Sequence, residues 1–479
     1  MSIDVHTLPA EAGLPSAFVL NAWDGNHTVT GAVASRPGAF ALQWQPPVTQ
    51  LMRPEAAADP KNFRDPRVGW GLVLPYRPDV DAAAQARAED VEPPLRELLA
   101  SRGPGAKVLR YRSDYGVLAL FEADGAIIPI AGAKDGTAHG ALPDYLLLAG
   151  EPDVLPWSLQ YTLGASRCVG RLHLTGIALE RHVAALVADW PDSRARYEAP
   201  VVWAVDHGGG DISSLMRRTI AEPIVERFRQ DGEMQDALFL NGGVDPQSAT
   251  VPQLHAGLAQ RRPAVVITTS HGLTGPLTDP SAMGAGLGLP VGQAHDIARP
   301  DGLLEDWEPD GAIWYAQACC SAGSNAPSEY EGLLAPDSDA DEVLRGVAAL
   351  GAHVAPLPTA LLGAPRPLRA FIGHVEPTFD WTISFPWVPT PLTASIQGAV
   401  YEGICSGEPI GLAMRRTWKH IGELRQAHAA VIRYFDASPT ERSRVLTAAT
   451  YLRLAAGDRA ATVLLGDPAA SVRLPAQRA

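Results

Sequence analysis

Residues 264–272 are Ala-Val-Val-Ile-Thr-Thr-Ser-His-Gly, and residues 312–319 are Ala-Ile-Trp-Tyr-Ala-Gln-Ala-Cys. Each stretch is a largely apolar run that ends in one reactive side chain, His271 in the first and Cys319 in the second. Runs of this length, rich in β-branched and aromatic residues, predict strands buried on both faces. A helix is predicted just before the first run, at 251–262. Strands that alternate with helices predict an α/β fold, a three-layer α/β/α arrangement around a mostly parallel sheet.

The same alternation extends towards both termini. Further strands are predicted at 70–74, 107–111, 117–121, 126–130, 145–149, 201–205, 237–240, 368–372 and 463–465. Further helices are predicted at 81–102 (broken at Pro93 and Pro94), 212–230 (kinked at Pro223), 341–350 and 392–435 (broken near Gly407). We therefore expect three parts: an N-terminal extension of unknown function at 1–64, a smaller α/β subdomain at 65–195, and the main α/β domain at 196–479.

Composition excludes several classes of function. The chain of 479 residues carries 39 Lys and Arg against 53 Asp and Glu, a net charge of −14, which argues against a nucleic-acid partner. No stretch approaches the roughly 18 apolar residues of a membrane helix, and the N-terminus lacks the pattern of a secretory signal. The four cysteines form neither a disulfide framework nor a CxxC zinc pattern. We expect a cytoplasmic protein with reduced thiols and neither metal nor cofactor.

Reactive side chains follow the apolar runs of the second half at their carboxyl ends. They are Asp206 and His207, Asn241, Ser270 and His271, Cys319 and Cys320, and His374. Ligands of an open parallel sheet bind beyond the carboxyl ends of its strands. We therefore expect these residues to share one edge of the sheet.

His271 and Cys319 have the chemistry of a catalytic pair. A histidine can take up and give a proton near neutral pH, and a deprotonated cysteine is a strong nucleophile. Gly272 leaves its backbone N–H free to approach a developing oxyanion. If the two strands are neighbours, both side chains come within reach of one scissile bond.

The sequence around this pair resembles the caspase-like cysteine peptidases, including the gingipain and CHAT branches. Gln317-Ala318-Cys319 matches the start of the caspase signature, whose histidine lies about 50 residues upstream. Other stretches resemble gingipain-type elements in the right order: 145–156, 168–172, 370–374 and 464–469. The resemblance thus extends in patches over about 145–470.

This resemblance implies a caspase-like catalytic domain at 196–479, preceded by a gingipain-like first subdomain. It implies a cysteine endopeptidase that cleaves a polypeptide through a thioester on Cys319, with His271 protonating the leaving amine. The backbone N–H groups of Gly272 and Cys319 would hold the oxyanion. Arg171 and Asp467 look structural in that family, and self-processing remains open.

The chain departs from the signature after Cys319. Caspases continue with Arg, Gln or Gly and then Gly, whereas this chain has Cys320 and Ser321. Cys320 is therefore an alternative nucleophile.

The substrate-binding residues are less determined. Asp206 or Asp211 could select a basic side chain before the cut through a charge-assisted contact, although Asp211 could equally cap the helix that begins at Ile212. Trp381, Trp387 and His374 could line the pocket.

Two alternatives of other classes stay open. A caspase-like pseudoenzyme could act as a scaffold or sensor. A serine hydrolase could use Ser270 as its nucleophile, the His207–Gly210 loop as its oxyanion hole, and His374 or His420 as its base.

Overall fold

The computed structural model describes residues 17–34, 58–385, 392–437 and 441–475. The strands are β1 (Ala17–Trp23), β2 (Thr28–Ala32), β3 (Trp70–Pro75), β4 (Lys107–Tyr111), β5 (Ala119–Phe121), β6 (Ile127–Pro129), β7 (Tyr145–Ala149), β8 (Cys168–Leu172), β9 (Val201–Ala204), β10 (Leu238–Asn241), β11 (Val265–Thr269), β12 (His271–Leu273), β13 (Pro290–Val291), β14 (Ile313–Gln317), β15 (Gly323–Ser324), β16 (His353–Val354), β17 (Ala370–His374) and β18 (Thr462–Gly466).

The α-helices are α1 (Ala82–Ala86), α2 (Pro93–Ser101), α3 (Trp157–Gly164), α4 (Gly176–Ala188), α5 (Ile212–Met216), α6 (Glu222–Gln230), α7 (Val251–Arg261), α8 (Pro280–Gly286), α9 (Pro300–Asp306), α10 (Asp339–Ala349), α11 (Pro356–Leu362), α12 (Ala394–Gln397), α13 (Ile410–Ala437) and α14 (Arg442–Ala461). Short 3-10 helices lie at Pro246–Ala249, Asp380–Thr382 and Ile404–Ser406, and π-helical turns at Arg217–Ala221 and Gly398–Gly403.

A twelve-stranded sheet with the order β10-β9-β11-β14-β17-β18-β8-β7-β3-β4-β5-β6 forms the centre of the fold. Most of its neighbouring strands are parallel, and the predicted α/β architecture is confirmed. The pairing of β17 with β18 is antiparallel, while β18 is parallel to β8. The two halves of the sheet therefore run in opposite directions, and the carboxyl ends of β9, β11, β14 and β17 meet at one edge.

The predicted breaks in the helices appear where backbone chemistry requires them. Pro93 begins α2 at a position where no intrahelical N–H is needed. Pro223 is the second residue of α6, just after the π-helical turn Arg217–Ala221 that joins α5 to α6. Gly407 has a φ of +77°, a left-handed conformation that ends the helical stretch before α13.

The predicted parts map onto the sheet in order. The stretch 65–195 supplies β3 to β8, and the stretch from 196 supplies the remaining strands of this sheet, with Leu465 of β18 paired to Arg171 of β8. Arg171 is fully buried and donates to Gln160 and to the carbonyls of Gly150 and Leu155. It thus links β8 to the loop after β7 and to helix α3.

Residues 17–34 of the predicted N-terminal extension form a hairpin, β1 and β2. The hairpin joins a second sheet with the order β13-β12-β1-β2. β1 lies parallel to β12, with Ala22 opposite Gly272, so the hairpin docks beside the strand that begins at His271. The apolar side chains of Phe18, Leu20 and Val29 are fully buried.

No helix among the described residues is both long and apolar enough to span a membrane.

Candidate active site

The register of two parallel strands brings His271 and Cys319 side by side. β11 and β14 are adjacent, and their last paired residues are Thr269 and Gln317. His271 and Cys319 each stand two residues beyond that pair. Both residues therefore lie at the same carboxyl edge of the sheet, where the sequence predicted them.

Gly272 allows the two strand ends to approach closely. A Cβ atom built on Gly272 would lie 1.9 Å from the carbonyl oxygen of Cys319 and 3.1 Å from its backbone nitrogen. No side chain fits in that space. The sequence singled out Gly272 for its free N–H, and the structure adds a steric reason for glycine.

His271 is held by an acidic partner. Its Nε2 lies 3.1 Å from both carboxylate oxygens of Asp211 and 3.0 Å from the hydroxyl of Thr28. These contacts assign the ring proton to Nε2. Nδ1 is buried and has no hydrogen-bond partner among the described residues, so it is the nitrogen left to exchange a proton.

Asp211 begins α5 and is fixed from several sides. Its carboxylate accepts from the backbone N–H of Ser213 at 2.7 Å, which confirms the predicted helix cap. Burial would raise the pKa of Asp211, but the hydrogen bond from His271, with those from Ser213 and Thr28, holds that pKa well below its ordinary value. The carboxylate is therefore charged and committed to His271.

Cys319 is fully buried, and its thiol is engaged by the backbone of Thr378. Thr378 donates its backbone N–H to Sγ at 3.1 Å, and the thiol approaches the Thr378 carbonyl at 3.8 Å. Burial raises the pKa of the thiol far above its ordinary value, although the Thr378 N–H opposes that shift. In this arrangement the thiol is neutral and has to be exposed before it can react.

Cys320 lies in the turn that follows β14. It is fully buried with a φ of +54°, and its N–H donates to the carbonyl of Glu376 at 3.0 Å. Burial, and then the neighbouring Cys319, raise the pKa of the Cys320 thiol well above its ordinary value. None of the four cysteines, all of which are described, forms a disulfide bond.

The N-terminal hairpin covers this pair. The carbonyl of Asn21 accepts from the backbone N–H of Cys319 at 3.2 Å, the donor that the sequence assigned to an oxyanion hole. The indole of Trp23 stacks on the ring of His295, with 4.0 Å between centroids, and lies near the rings of His207 and His271.

The two acidic candidates for a basic-residue pocket already have partners. Asp206 pairs with Arg217 at 2.7 Å and accepts from the N–H of Gly208 and the hydroxyl of Ser214. Asp211 is paired with His271. An incoming Lys or Arg would have to displace one of these contacts. A polar cavity of about 340 Å³ opens beside Asp206 and Arg217.

The other candidates for the substrate pocket are Trp381, His374 and Trp387. Trp381 is buried against Phe18 of the hairpin, with 4.2 Å between ring centroids. His374 ends β17 and is buried below the surface, where desolvation lowers its pKa to about 3. Trp387 lies outside the described residues.

The contacts of Ser270 and His420 do not fit a serine hydrolase. The Ser270 hydroxyl is fully buried and donates to the carbonyl of His271 at 3.0 Å rather than to an imidazole nitrogen. His420, one of the two suggested bases, pairs instead with Glu423 at 2.9 Å.

Sequence reasoning missed the residues that the hairpin and the turn after β17 bring to the site. These are Asn21, Trp23, Thr28 and Thr378. The apolar run at 17–20 is consistent with a strand, but nothing local indicates that it docks beside residues 250 positions later.

No family model matches this chain, and no curated protein matches it.

Proposed function

We propose that this protein is a cysteine endopeptidase of the caspase-like kind, with Cys319 as nucleophile and His271 as general acid and base. The observation that supports this most directly is the His271–Asp211 pair at 3.1 Å, at the end of the strand adjacent to the one that ends before Cys319. An acid that orients a histidine beside a cysteine is the recurring arrangement for thiol nucleophiles.

The residues divide the chemistry as follows. Once substrate displaces the resting contacts, Nδ1 of His271 takes the proton of Cys319, and the thiolate attacks the peptide carbonyl. The backbone N–H groups of Cys319 and Gly272 stabilise the oxyanion. His271 then passes the proton to the leaving amine as the C–N bond breaks, which leaves a thioester. Water, deprotonated by His271, hydrolyses the thioester and restores the thiol.

Asp211 keeps His271 in the useful tautomer during these steps. Because its carboxylate accepts from Nε2, the other nitrogen is directed towards the reaction. Thr28 adds a hydroxyl to both members of the pair.

Selection of a basic residue before the cut remains a prediction. Both acidic side chains offered for it are engaged, Asp206 with Arg217 and Asp211 with His271. The assay therefore compares substrates that carry Arg before the cut with substrates that carry an uncharged residue there.

The test is intact mass after incubation with peptidyl acyloxymethyl ketones that carry Arg, Asn or Leu, alongside hydrolysis of the matching peptides. Because the hairpin covers Cys319, both are run on the full chain and on Trp23→Ala. We expect one adduct that disappears in Cys319→Ala and persists in Cys405→Ala, a matched change of another buried cysteine. Hydrolysis by Cys319→Ala at the parent rate would refute the proposal, and loss of the adduct only in Cys320→Ala would move the nucleophile by one residue.

A second candidate function, a caspase-like scaffold or sensor, is favoured by the complete burial of Cys319. The same experiment separates the two. A scaffold gives neither adduct nor hydrolysis in the full chain or in Trp23→Ala.

A further inference from the structure

The N-terminal strand β1 runs across the candidate active site in extended form. Leu20 pairs antiparallel with Phe379, and the N–H of Asn21 donates to the carbonyl of Thr378 at 3.2 Å. Beyond Asn21 the strand pairs with β12, where the carbonyl of Trp23 accepts from the N–H of Thr274 at 3.0 Å. Backbone pairing of this kind is how an extended peptide is bound at the edge of a sheet.

The backbone of Asn21 lies against the N–H group that the proposed mechanism assigns to the oxyanion. Its carbonyl accepts the Cys319 N–H, and the next residue, Ala22, lies opposite Gly272. The peptide bond between Asn21 and Ala22 thus has the proposed nucleophile on one side and the strand of His271 on the other. A bound substrate would place its scissile bond between the same groups.

Side chains of the strand fill a series of sites along this groove. Phe18 contacts the rings of Trp381 and Phe379 at 4.2 and 5.4 Å between centroids. At the far end, the indole of Trp23 lies on His295 at 4.0 Å and near His207. Both ends of the groove therefore hold an aromatic side chain.

The Asn21 side chain lies in a fully buried pocket. Its amide donates to the carbonyl of Gln317 and to the sulfur of Met216, each at 3.3 Å. Its Oδ1 has no hydrogen-bond partner among the described residues. The contacts of the amide among the described residues are a carbonyl acceptor and a thioether, which fit a small neutral donor better than a long cation.

From this arrangement we infer that residues 18–23 occupy the substrate groove in the register of a bound peptide and hold the enzyme latent. This rests on the proposed peptidase function. Substrates are extended peptides with a small neutral polar residue at the place of Asn21, a small residue at the next place, and aromatic residues at the places of Phe18 and Trp23. The hairpin has to leave before they bind.

The hairpin is anchored outside the groove as well as in it. The N–H of Ala34 donates to the carbonyl of Leu333 at 3.2 Å, and the N–H of Ala335 to the carbonyl of Ala32 at 2.8 Å. A Cβ on Gly31 would meet that of Ala340 at 2.2 Å, so β2 lies directly against α10. Opening of the hairpin therefore has to break two sets of contacts, one in the groove and one outside it.

The experiment measures how fast iodoacetamide alkylates Cys319, by peptide mapping in the full-length protein under native conditions. Trp23→Ala removes one aromatic contact of the groove, and Asn21→Asp places a charge against the carbonyl of Gln317. The matched control is Trp307→Ala, an equally buried tryptophan that packs elsewhere in the core. Cys168 and Cys405, both buried, report global unfolding in each sample.

We expect alkylation of Cys319 to rise at least about tenfold in Trp23→Ala and in Asn21→Asp, equivalent to about 1.4 kcal/mol in the free energy of opening. Cys405 and the control should not change. Peptide hydrolysis should rise in parallel and be inhibited by the synthetic peptide of residues 17–24. Faster alkylation without hydrolysis would support the proposal that the hairpin covers Cys319 and would refute the proposed peptidase activity. Unchanged alkylation in both folded variants would overturn the inference, whether or not the parent cleaves peptides.

Discussion

Nε2 of His271 lies 3.1 Å from both carboxylate oxygens of Asp211, sixty residues earlier in the chain. The sequence offered Asp211 as a helix cap or as a pocket residue, and the structure gives it the cap together with the histidine. One carboxylate therefore fixes both the start of α5 and the tautomer of the proposed catalytic base.

The substitution Asp211→Asn separates these two roles, since asparagine caps a helix nearly as well as aspartate. We expect kcat for peptide hydrolysis, measured in the Trp23→Ala background, to fall about 10²- to 10⁴-fold because the histidine tautomer is no longer enforced. The free energy of unfolding should also fall at neutral pH, because the folded state favours the charged form of Asp211 and asparagine is neutral. Asp279→Asn, at the cap of α8, is the matched control and should keep full activity. Equal kcat in the two variants would remove Asp211 from the mechanism.

The contact between Gly272 and Cys319 gives a second prediction. Gly272→Ala places a methyl group against the Cys319 carbonyl at 1.9 Å, so backbone has to move. We expect a loss of at least about 2 kcal/mol in the free energy of unfolding, together with loss of activity. Gly284→Ala is the control, because its Cβ meets nothing nearer than 3.9 Å and a helical alanine is favoured by up to about 1 kcal/mol. Urea denaturation measures both variants, and a stable, active Gly272→Ala protein would contradict the geometry.

Glu376, whose carbonyl accepts from Cys320, gives a pH-dependent prediction. Burial raises the pKa of its carboxyl to about 8 from an ordinary value near 4.5. The folded state keeps the proton while the unfolded state loses it, so the group destabilises the fold increasingly as the pH rises from 4.5 to 8.

Glu376→Gln removes this penalty in a side chain of the same shape. We expect the variant to gain stability relative to the parent by roughly 1–4 kcal/mol more at pH 8 than at pH 5. Chemical denaturation at the two pH values measures the difference. Glu331→Gln, at an exposed position 45 residues earlier, should show no such difference. A gain that is the same at both pH values would mean that Glu376 is ionised in the folded state.

Arg171 gives a prediction about stability alone. Its guanidinium is fully buried, donates to three acceptors and stacks on Trp157 at 4.5 Å. Lysine has no planar fork to reach all three, so Arg171→Lys should lower the free energy of unfolding by about 2–5 kcal/mol. Arg181→Lys, on the exposed face of α4, should change it by less than about 0.5 kcal/mol. A parent-like urea midpoint for Arg171→Lys would show that the fork is not needed.

Local sequence patterns predicted most of the strands and helices of the main sheet. The apolar runs that end before His271 and Cys319 are strands, and the breaks at Pro93, before Pro223 and near Gly407 all appear. These features depend on residues within one turn or one strand of each other. The reversal of direction at β18 was not predicted, because the direction of a strand depends on which element it docks against.

The sequence by itself determined that a histidine and a cysteine would follow two buried strands, since strand length and burial are encoded in the apolar run itself. Only the tertiary structure decided what surrounds them. Asp211 reaches His271 across 60 residues, and Asn21 reaches Gln317, two residues before Cys319, across 296. Contacts of that separation depend on the order of strands in the sheet and on where the hairpin docks. No local periodicity encodes either of these, because they follow from the packing of whole elements.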